Sequence, residues 1–419
     1  MNILLKSATI VNAQSKDLHL KKRDIWVREG NITQIATHIP TPEGAQVVDH
    51  KNLHVSLGWM DTGICIGEPG YEERETIENG LRTAAKSGFT DVFLNPTSHP
   101  RPDSSSDIIF LKNAARHHLT NLYPLANLTV GGNGGALAEL YDMKNAGAIG
   151  FYDYKTPIAN ANLLKIALQY AQGFEGLVFS FPMDVDIAGK GVVNEGETSI
   201  LLGLKGIPAL AEEIMVARDL FVLEYTGGRL HIPTVSTENS VKLIASAKKK
   251  GLHVTCSVAL HHLWSTDSAL QNFDTHFKVM PPLRNEKDRK ALRKGLANGT
   301  IDVVTTDHTP LNIELKQVEF DHAEYGTIGL ESAFGALNAL MGMEEAIALL
   351  TKGRDLFGLP TPVLQEGQPA CLTLFDPHSE YDFGAEHVHS ANENSLYLGS
   401  GLKGKVLGTL NNHQAMLNF

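Results

Sequence analysis

The chain of 419 residues is long enough for one large α/β barrel with an accessory domain, since single (β/α)8 barrels occupy roughly 250 residues. A composition of 42% hydrophobic and 20% charged residues is typical of a globular protein and argues against extended disorder. No apolar run approaches the roughly 18 residues that span a bilayer, and the net charge of -11 argues against a nucleic-acid partner. We therefore expect neither a membrane nor a nucleic acid as partner.

The start of the chain and its cysteines bear on the compartment. The opening residues, MNILLKSATIVNAQ, have no basic segment followed by a cleavable apolar stretch, so no signal peptide is predicted. Cys65, Cys256 and Cys371 lie far apart and form no CxxC pair, which favours a reducing compartment over a disulfide framework. The expected localisation is cytoplasmic.

Taken in chain order, the predicted elements fall into three segments. Residues 1–53 show short strand patterns separated by turns. Between residues 55 and 310, eight β-rich runs, the first being HVSLGWMDTG, alternate with helical segments, which predicts βα units closed into a TIM-type (β/α)8 barrel spanning residues 54–364. Residues 365–419 return to short strands. We expect the two ends, 1–53 and 365–419, to join as one small β-sandwich domain beside the barrel.

Two of the barrel helices have clear boundaries in the sequence. Apolar residues recur at helical spacing through IPALAEEIMVARDLFVLEYTGG, with Pro208 near the start and Gly227 at the end. The segment SVKLIASAKKKG ends in lysines followed by Gly251, which suits a helix C-terminus and its cap.

In such a barrel the functional groups come from the carboxyl ends of the strands and the loops that follow. Side chains alternate along a strand, so Asp61, Gly63 and Cys65 are predicted to share one face of the first barrel strand and to point into the mouth.

Several stretches together resemble the dihydroorotase family of the amidohydrolase superfamily, in its longer form with a composite β domain. The resemblance covers nearly the whole chain. It is carried by GWMD…GEPG, FYDYKTP, GKGVVNEGETSILLGLKGIPALAEEIMVARDL, RLHIPTVST, PPLR, DVVTTDHTP, YGTIGLESAFGAL and LKGKV.

The resemblance implies a set of zinc-ligand positions, most of which hold other residues here. Active members carry D-x-H-x-H-x-R-x-P-G on the first strand, with two histidines on zinc and the arginine on the substrate carboxylate. Two of the six implied ligand positions keep a carboxylate, Asp153 and Asp307; the other four hold Gly63, Cys65, Phe181 and Thr234. Glycine and phenylalanine offer zinc no donor, and a catalytic zinc usually needs three from the protein.

The implied substrate-binding positions are also replaced. They hold Gly67, Pro96, Met280 and Leu311, in place of the arginine, two asparagines and a histidine of active members. None of these four offers the side-chain contact that the family motif supplies to dihydroorotate.

Some polar residues keep two interpretations. Cys65, Asp153 and Asp307 form the one residual candidate metal site, since thiolate and carboxylate both bind zinc, although most free cysteines are buried apolar fillers. Asp307 is either an inherited structural carboxylate or a working base. We interpret His308, like the pair His261 and His262, as structural, because adjacent residues point in different directions.

Three functions remain open on the sequence. The first, implied by the resemblance, is a non-catalytic homologue that acts as companion of aspartate carbamoyltransferase in pyrimidine biosynthesis, without a cofactor. The second is an active cyclic-amide hydrolase with one zinc held by Cys65, Asp153 and Asp307. The third is a small-molecule binding module that uses the vacated mouth. A homo-oligomer is expected from the family.

Overall fold

The computed structural model describes residues 1–418 and divides into a barrel and a β domain built from both ends of the chain. The elements are numbered along the chain. The β domain contains eight strands: β1 Asn2–Ile10, β2 Lys22–Arg28, β3 Asn31–Ala36, β4 Gln46–Val48, β5 His54–Leu57, β16 Leu372–Asp382, β17 Gly401–Asn411 and β18 Gln414–Leu417. They form one hydrogen-bonded sheet in the order β18-β17-β16-β5-β1-β2-β3, with β4 on β1. The prediction that the two termini build a common β domain is confirmed.

The barrel also contains eight strands, all parallel. They are β6 Trp59–Ile64, β7 Phe89–Leu94, β8 Asn121–Ala126, β9 Gly150–Phe151, β10 Leu177–Phe179, β13 Arg229–Ile232, β14 Val254–Ala259 and β15 Val303–Thr305. They are ordered from β6 to β15 without a break. A parallel bridge between Ile64 and His308 brings the last strand back to the first. The predicted TIM-type barrel is confirmed.

Helices cover the outside of the barrel and connect its strands. They are α1 Ile77–Lys86, α2 Ser105–Ala114, α3 Leu140–Ala146, α4 Ala161–Ala171, α5 Val185–Ala188, α6 Glu197–Leu202, α7 Ala209–Thr226, α8 Glu238–Lys249, α9 Leu260–Trp264, α10 Glu286–Ala297, α11 Ile313–Lys316, α12 Ala333–Met341 and α13 Met343–Thr351. An excursion between β10 and α7 adds α5, α6 and a two-stranded pair, β11 Val193–Asn194 with β12 Gly206–Ile207. Among residues 1–418, no helix is long and apolar enough to cross a membrane.

The two helices delimited in the sequence begin and end as predicted. Pro208 precedes α7 with a φ of -62°, and Gly227 follows it with a φ of 70°, a backbone conformation that favours glycine. Thr237 caps α8 by accepting a hydrogen bond from the Ser240 backbone N–H.

The predicted strand HVSLGWMDTG is in fact two strands that belong to different sheets. Its first part, β5, pairs with β1 and β16 in the β domain, and its second part, β6, opens the barrel. The chain crosses between them at Gly58, where a Cβ atom would lie 2.3 Å from the Thr90 side chain. Only glycine allows this close approach, so a single β-rich run in the sequence conceals a change of sheet.

Candidate functional site

An ion pair between two distant segments occupies the mouth of the barrel. Lys155 follows β9 and Asp307 follows β15, and the lysine Nζ donates to the aspartate Oδ2 at 2.8 Å. Their side chains are only 12% and 5% exposed, so water screens this pair little. Burial raises the pKa of Asp307, while the neighbouring Lys155 ammonium opposes that rise. The mouth is therefore centred on a buried ammonium–carboxylate contact.

The backbone around this pair adopts unusual conformations. Tyr154, Lys155 and Asp307 have positive φ values of 28°, 46° and 50°, and Thr234, which follows β13, also has a positive φ of 50°. Non-glycine residues in this region cost on the order of 1 kcal/mol each and are frequent where structure serves function. The turn at Tyr154 and Lys155 ends the alternation of side-chain direction that a strand imposes. It brings the Lys155 side chain into the mouth.

Cys65 lies beside the ion pair as a neutral thiol. Its Sγ is 3.7 Å from Asn95 Nδ2 and 3.6 Å from Thr309 Oγ1. Burial raises the pKa of the Cys65 thiol, although Lys155 acts in the other direction. Burial likewise raises the pKa of Tyr154 well above its usual value. Both groups therefore act at neutral pH as weak hydrogen-bonding partners and not as anionic donors.

Asp153 faces away from this group. Its Oδ1 accepts hydrogen bonds from the backbone N–H groups of Leu128 at 2.9 Å and Thr129 at 3.0 Å, and from Asn127 Nδ2 at 3.3 Å. Its Oδ2 accepts from Thr129 Oγ1 at 2.6 Å. The carboxylate thus anchors the loop after β8. The structure does not gather Cys65, Asp153 and Asp307 into one cluster, because the oxygens of Asp153 are already engaged elsewhere.

Replacement of Asp153 by alanine is expected to lower the free energy of unfolding by about 2–4 kcal/mol, since it leaves buried N–H donors without an acceptor. Asp153→Asn, which keeps one carbonyl oxygen, serves as the control and should cost less. Urea denaturation measures both. An alanine variant as stable as the parent, but with less bound zinc, would instead identify Asp153 as a metal ligand.

The two glycines of the first motif stand where a side chain has little room. A Cβ atom on Gly67 would lie 1.9 Å from the Tyr71 carbonyl oxygen, because the chain folds back tightly over this residue. A Cβ atom on Gly63 would approach Thr305 Oγ1 to 3.2 Å. A side chain at Gly67, where the family motif has an arginine, would therefore collide with the backbone, whereas a side chain at Gly63, where the motif has a histidine, would require only a small shift of Thr305.

The remaining predicted positions are filled by packing. Phe181 is 1% exposed and packs in one apolar cluster with Met280 at its edge. Pro96 and Leu311 are buried. Thr234 is buried, and its hydroxyl has no partner among the described residues. These side chains offer apolar surface where the family motif would bind metal or substrate.

The cavity that remains at the mouth is small, about 150 Å³. Ligand pockets usually measure roughly 300–1,000 Å³. The cavity is lined mainly by Cys65, Gly67, Arg74, Tyr154, Lys155, Thr309 and Leu311. Nothing in this geometry favours the binding-module hypothesis, which stays a prediction.

Two histidines predicted to be structural, His262 and His308, contact other parts of the fold, whereas the buried ring nitrogens of His261 have no hydrogen-bond partner among the described residues. His308 Nδ1 accepts from the Gly329 and Leu330 N–H groups, and burial lowers the pKa of His308 to about 4. His262 Nε2 lies 3.1 Å from the Pro281 carbonyl oxygen, and burial lowers the pKa of His262 to about 3. Both are neutral side chains with structural partners, as interpreted from the sequence.

The donor set does not fit the zinc site of the family motif. Within residues 1–418, no group of three or more histidine, cysteine, aspartate or glutamate side chains is placed to hold a metal ion. The ammonium of Lys155 lies on Asp307, the one retained ligand position that faces the mouth, and a second cation there would be repelled. Four residues near the mouth were not singled out in the sequence: Asn95, Tyr154, Lys155 and Thr309. The only signal was that Tyr154 and Lys155 adjoin the predicted ligand Asp153 and that Asn95 adjoins Pro96.

Comparison with known proteins places this geometry in a family. A family model described as "Dihydro-orotase-like" matches residues 54–240. The chain is 40% identical over 417 residues to a dihydroorotase of Pelotomaculum thermopropionicum, covering 98% of this chain and 97% of that protein. It is 37% identical over 418 residues to a dihydroorotase of Ruminiclostridium cellulolyticum, covering 98% and 97%.

Solved structures share the whole architecture. An L-hydantoinase (dihydropyrimidinase) from Arthrobacter aurescens matches with a TM-score of 0.85 at 21% identity, covering 100% of this chain and 96% of that one. The barrel with its composite β domain thus has the same fold as that hydantoinase. The full-length identity to named dihydroorotases shows that the chain belongs to the dihydroorotase family of the amidohydrolase superfamily.

Proposed function

We propose that this member of the dihydroorotase family acts in pyrimidine biosynthesis without hydrolysing dihydroorotate, as a structural companion of aspartate carbamoyltransferase. The observation that carries the non-catalytic part is the Lys155–Asp307 pair, buried in the mouth with a contact of 2.8 Å. The companion role rests on the family resemblance, together with a barrel and β domain that are complete although the mouth is filled.

The chemistry of the mouth supports this proposal. Opening a cyclic amide requires a group that polarises the carbonyl and a base that activates water. Here the Asp307 carboxylate is held by Lys155, the Cys65 thiol and Tyr154 phenol are neutral, and Phe181 is an apolar filler.

Association with aspartate carbamoyltransferase from the same organism tests the companion role. The two proteins, expressed together, are expected to co-elute in size-exclusion chromatography, and the partner should unfold at a higher temperature in the complex. The control is the same experiment with a hydantoinase of similar fold. Separate elution, together with unchanged stability and activity of the carbamoyltransferase, would contradict the companion role.

A second candidate, an active cyclic-amide hydrolase, is favoured by the full-length identity of 40% to a named dihydroorotase. In that case Asp307 would take a proton from the attacking water and Lys155 would give one to the leaving nitrogen as the C–N bond breaks. The raised pKa of Asp307 suits a base. A dihydroorotate ring-opening assay separates the two candidates.

A further inference from the structure

A cavity of about 390 Å³ lies between the barrel and the β domain. Its walls come from the end of α1 and the beginning of α12 on the barrel side, and from β16, β17 and β18 on the other side. It shares no lining residue with the cavity at the mouth. Its volume falls within the roughly 300–1,000 Å³ that ligand pockets usually measure. The cavity is therefore large enough for a small organic molecule.

Two glycines allow the two domains to meet closely at this cavity. Gly404 on β17 has a φ of 101°, and a Cβ atom there would lie 2.5 Å from the Phe334 ring of α12. A Cβ atom on Gly335 would lie 3.0 Å from the Tyr381 hydroxyl oxygen on β16. A molecule bound in the cavity would therefore contact the barrel and the β domain together.

An aromatic surface forms one wall of the cavity. The ring centroids of Tyr381 and His387 lie 4.8 Å apart, and His387 in turn lies 5.8 Å from the buried Phe383 with the ring planes 24° apart. The Tyr381 hydroxyl has no hydrogen-bond partner among the described residues. Burial raises the pKa of Tyr381 to about 12, so this phenol is a neutral donor at pH 7. The wall offers a planar ligand both a stacking surface and a hydrogen-bond donor.

The carboxylates that line the cavity already have partners within the chain. Glu331 Oε1 accepts hydrogen bonds from the backbone N–H groups of His389 at 3.1 Å and Ser390 at 2.9 Å, and the Glu331 side chain is only 3% exposed. Glu386 Oε1 lies 3.4 Å from His387 Nδ1. Both carboxylates are thus held by neighbouring groups.

Two lysines of the cavity have no such partner. Neither Lys86, in the last turn of α1, nor Lys405, on β17, forms an ion pair with a carboxylate of residues 1–418. Lys405 Nζ lies 5.1 Å from the centre of the Tyr381 ring, which places this ammonium over the aromatic wall. The charged groups left to bind a ligand are therefore two cations beside an aromatic surface.

We propose that this cavity binds a nucleoside phosphate, with the base against Tyr381 and His387 and the phosphate between Lys86 and Lys405. A phosphate monoester carries a charge of about −1.5 to −2 at pH 7, which matches two ammonium groups better than a single carboxylate does. Aromatic side chains stack on every base, since each base has a π-face. The inference is independent of the proposed function, because the cavity is separate from the mouth.

Isothermal titration calorimetry of the full chain with UMP tests the proposal. Saturable binding of one UMP per chain is expected. Uridine lacks the phosphate, inorganic phosphate lacks the base, and orotate carries a carboxylate instead of the phosphate, so each should bind at least about tenfold more weakly. No saturable binding of UMP up to about 1 mM, or any of the three other compounds bound as tightly as UMP, would overturn the proposal.

Variants of the lining residues locate the bound UMP. Lys405→Glu reverses one charge and should weaken UMP binding by about tenfold or more, whereas Lys294→Glu, the same change at an exposed position of α10, should leave it unchanged. Tyr381→Leu should also weaken it, and Tyr381→Phe, which keeps the ring, should do so much less. Circular dichroism melting establishes that each variant is folded. UMP affinity that is unchanged in folded Lys405→Glu, or lost in Lys155→Met instead, would overturn the proposal.

Discussion

Lys155→Met is expected to lower the free energy of unfolding by about 3–5 kcal/mol at pH 8, because it leaves the Asp307 carboxylate buried without its partner. The two side chains are 12% and 5% exposed, so solvent screening gives little relief. Breaking a buried pair from one side costs far more than the pair itself contributes, since the remaining charge loses both water and counter-ion. Urea denaturation measures the change.

The effect should depend on pH in a defined direction. Burial raises the pKa of Asp307 above the ordinary aspartate value, and Lys155 restrains that rise. Without Lys155 the folded-state pKa rises further, so the folded variant binds a proton that the unfolded chain, with an aspartate pKa of about 3.9, has released. Stability that comes from a raised pKa is present at low pH. It is lost as the pH increases through the folded-state pKa. The destabilisation should therefore be smaller at pH 5 than at pH 8.

Two controls separate this ion pair from general effects of removing a lysine. Lys242→Met removes the partner of Glu238, 2.9 Å away, from a lysine that is 64% exposed, and should cost less than about 1 kcal/mol. The double variant Lys155→Met/Asp307→Leu removes both buried charges and should recover much of the lost stability. A Lys155→Met variant no less stable than the Lys242→Met control at pH 8 would contradict the buried ion pair.

The architecture could be predicted from the sequence because local residue patterns determine its strands and helices. Eight apolar β-rich runs alternating with helical segments favour a closed parallel barrel, and Pro208 and Gly227 mark the limits of α7. Local patterns do not show which strands pair with each other. The run HVSLGWMDTG is one β-rich segment in the sequence, so the transfer from the β domain to the barrel at Gly58 becomes visible only where Thr90 packs against that glycine.

The candidate site was predictable only in part. The family motif indicates which positions lack metal ligands, but not what replaces them. The family resemblance implies that Asp153 is a metal ligand in the mouth, whereas positive φ values at Tyr154 and Lys155 turn the chain so that the lysine enters instead. Its contact with Asp307, 152 residues later in the chain, depends on closure of the whole barrel. No local pattern near residue 155 carries that information.

We expect a large loss of catalysis relative to active members of the family. A bound zinc lowers the pKa of its water to about 7 and polarises the carbonyl, and catalytic zinc sites retain metal tightly through three or more protein ligands. The mouth offers no such donor set among the described residues, and Lys155 holds the carboxylate of Asp307. Neither bound zinc in stoichiometric amount nor ring opening is therefore expected, even when zinc is supplied.

The most direct test is zinc content and dihydroorotate ring opening measured on one preparation of the full chain, purified with added zinc and then freed of loosely bound metal. The dihydroorotase of Pelotomaculum thermopropionicum, prepared in the same way, is the positive control. For this chain we expect less than about one tenth of an equivalent of zinc and ring opening indistinguishable from buffer. One equivalent or more of zinc, with turnover that a chelator abolishes and zinc restores, would contradict it.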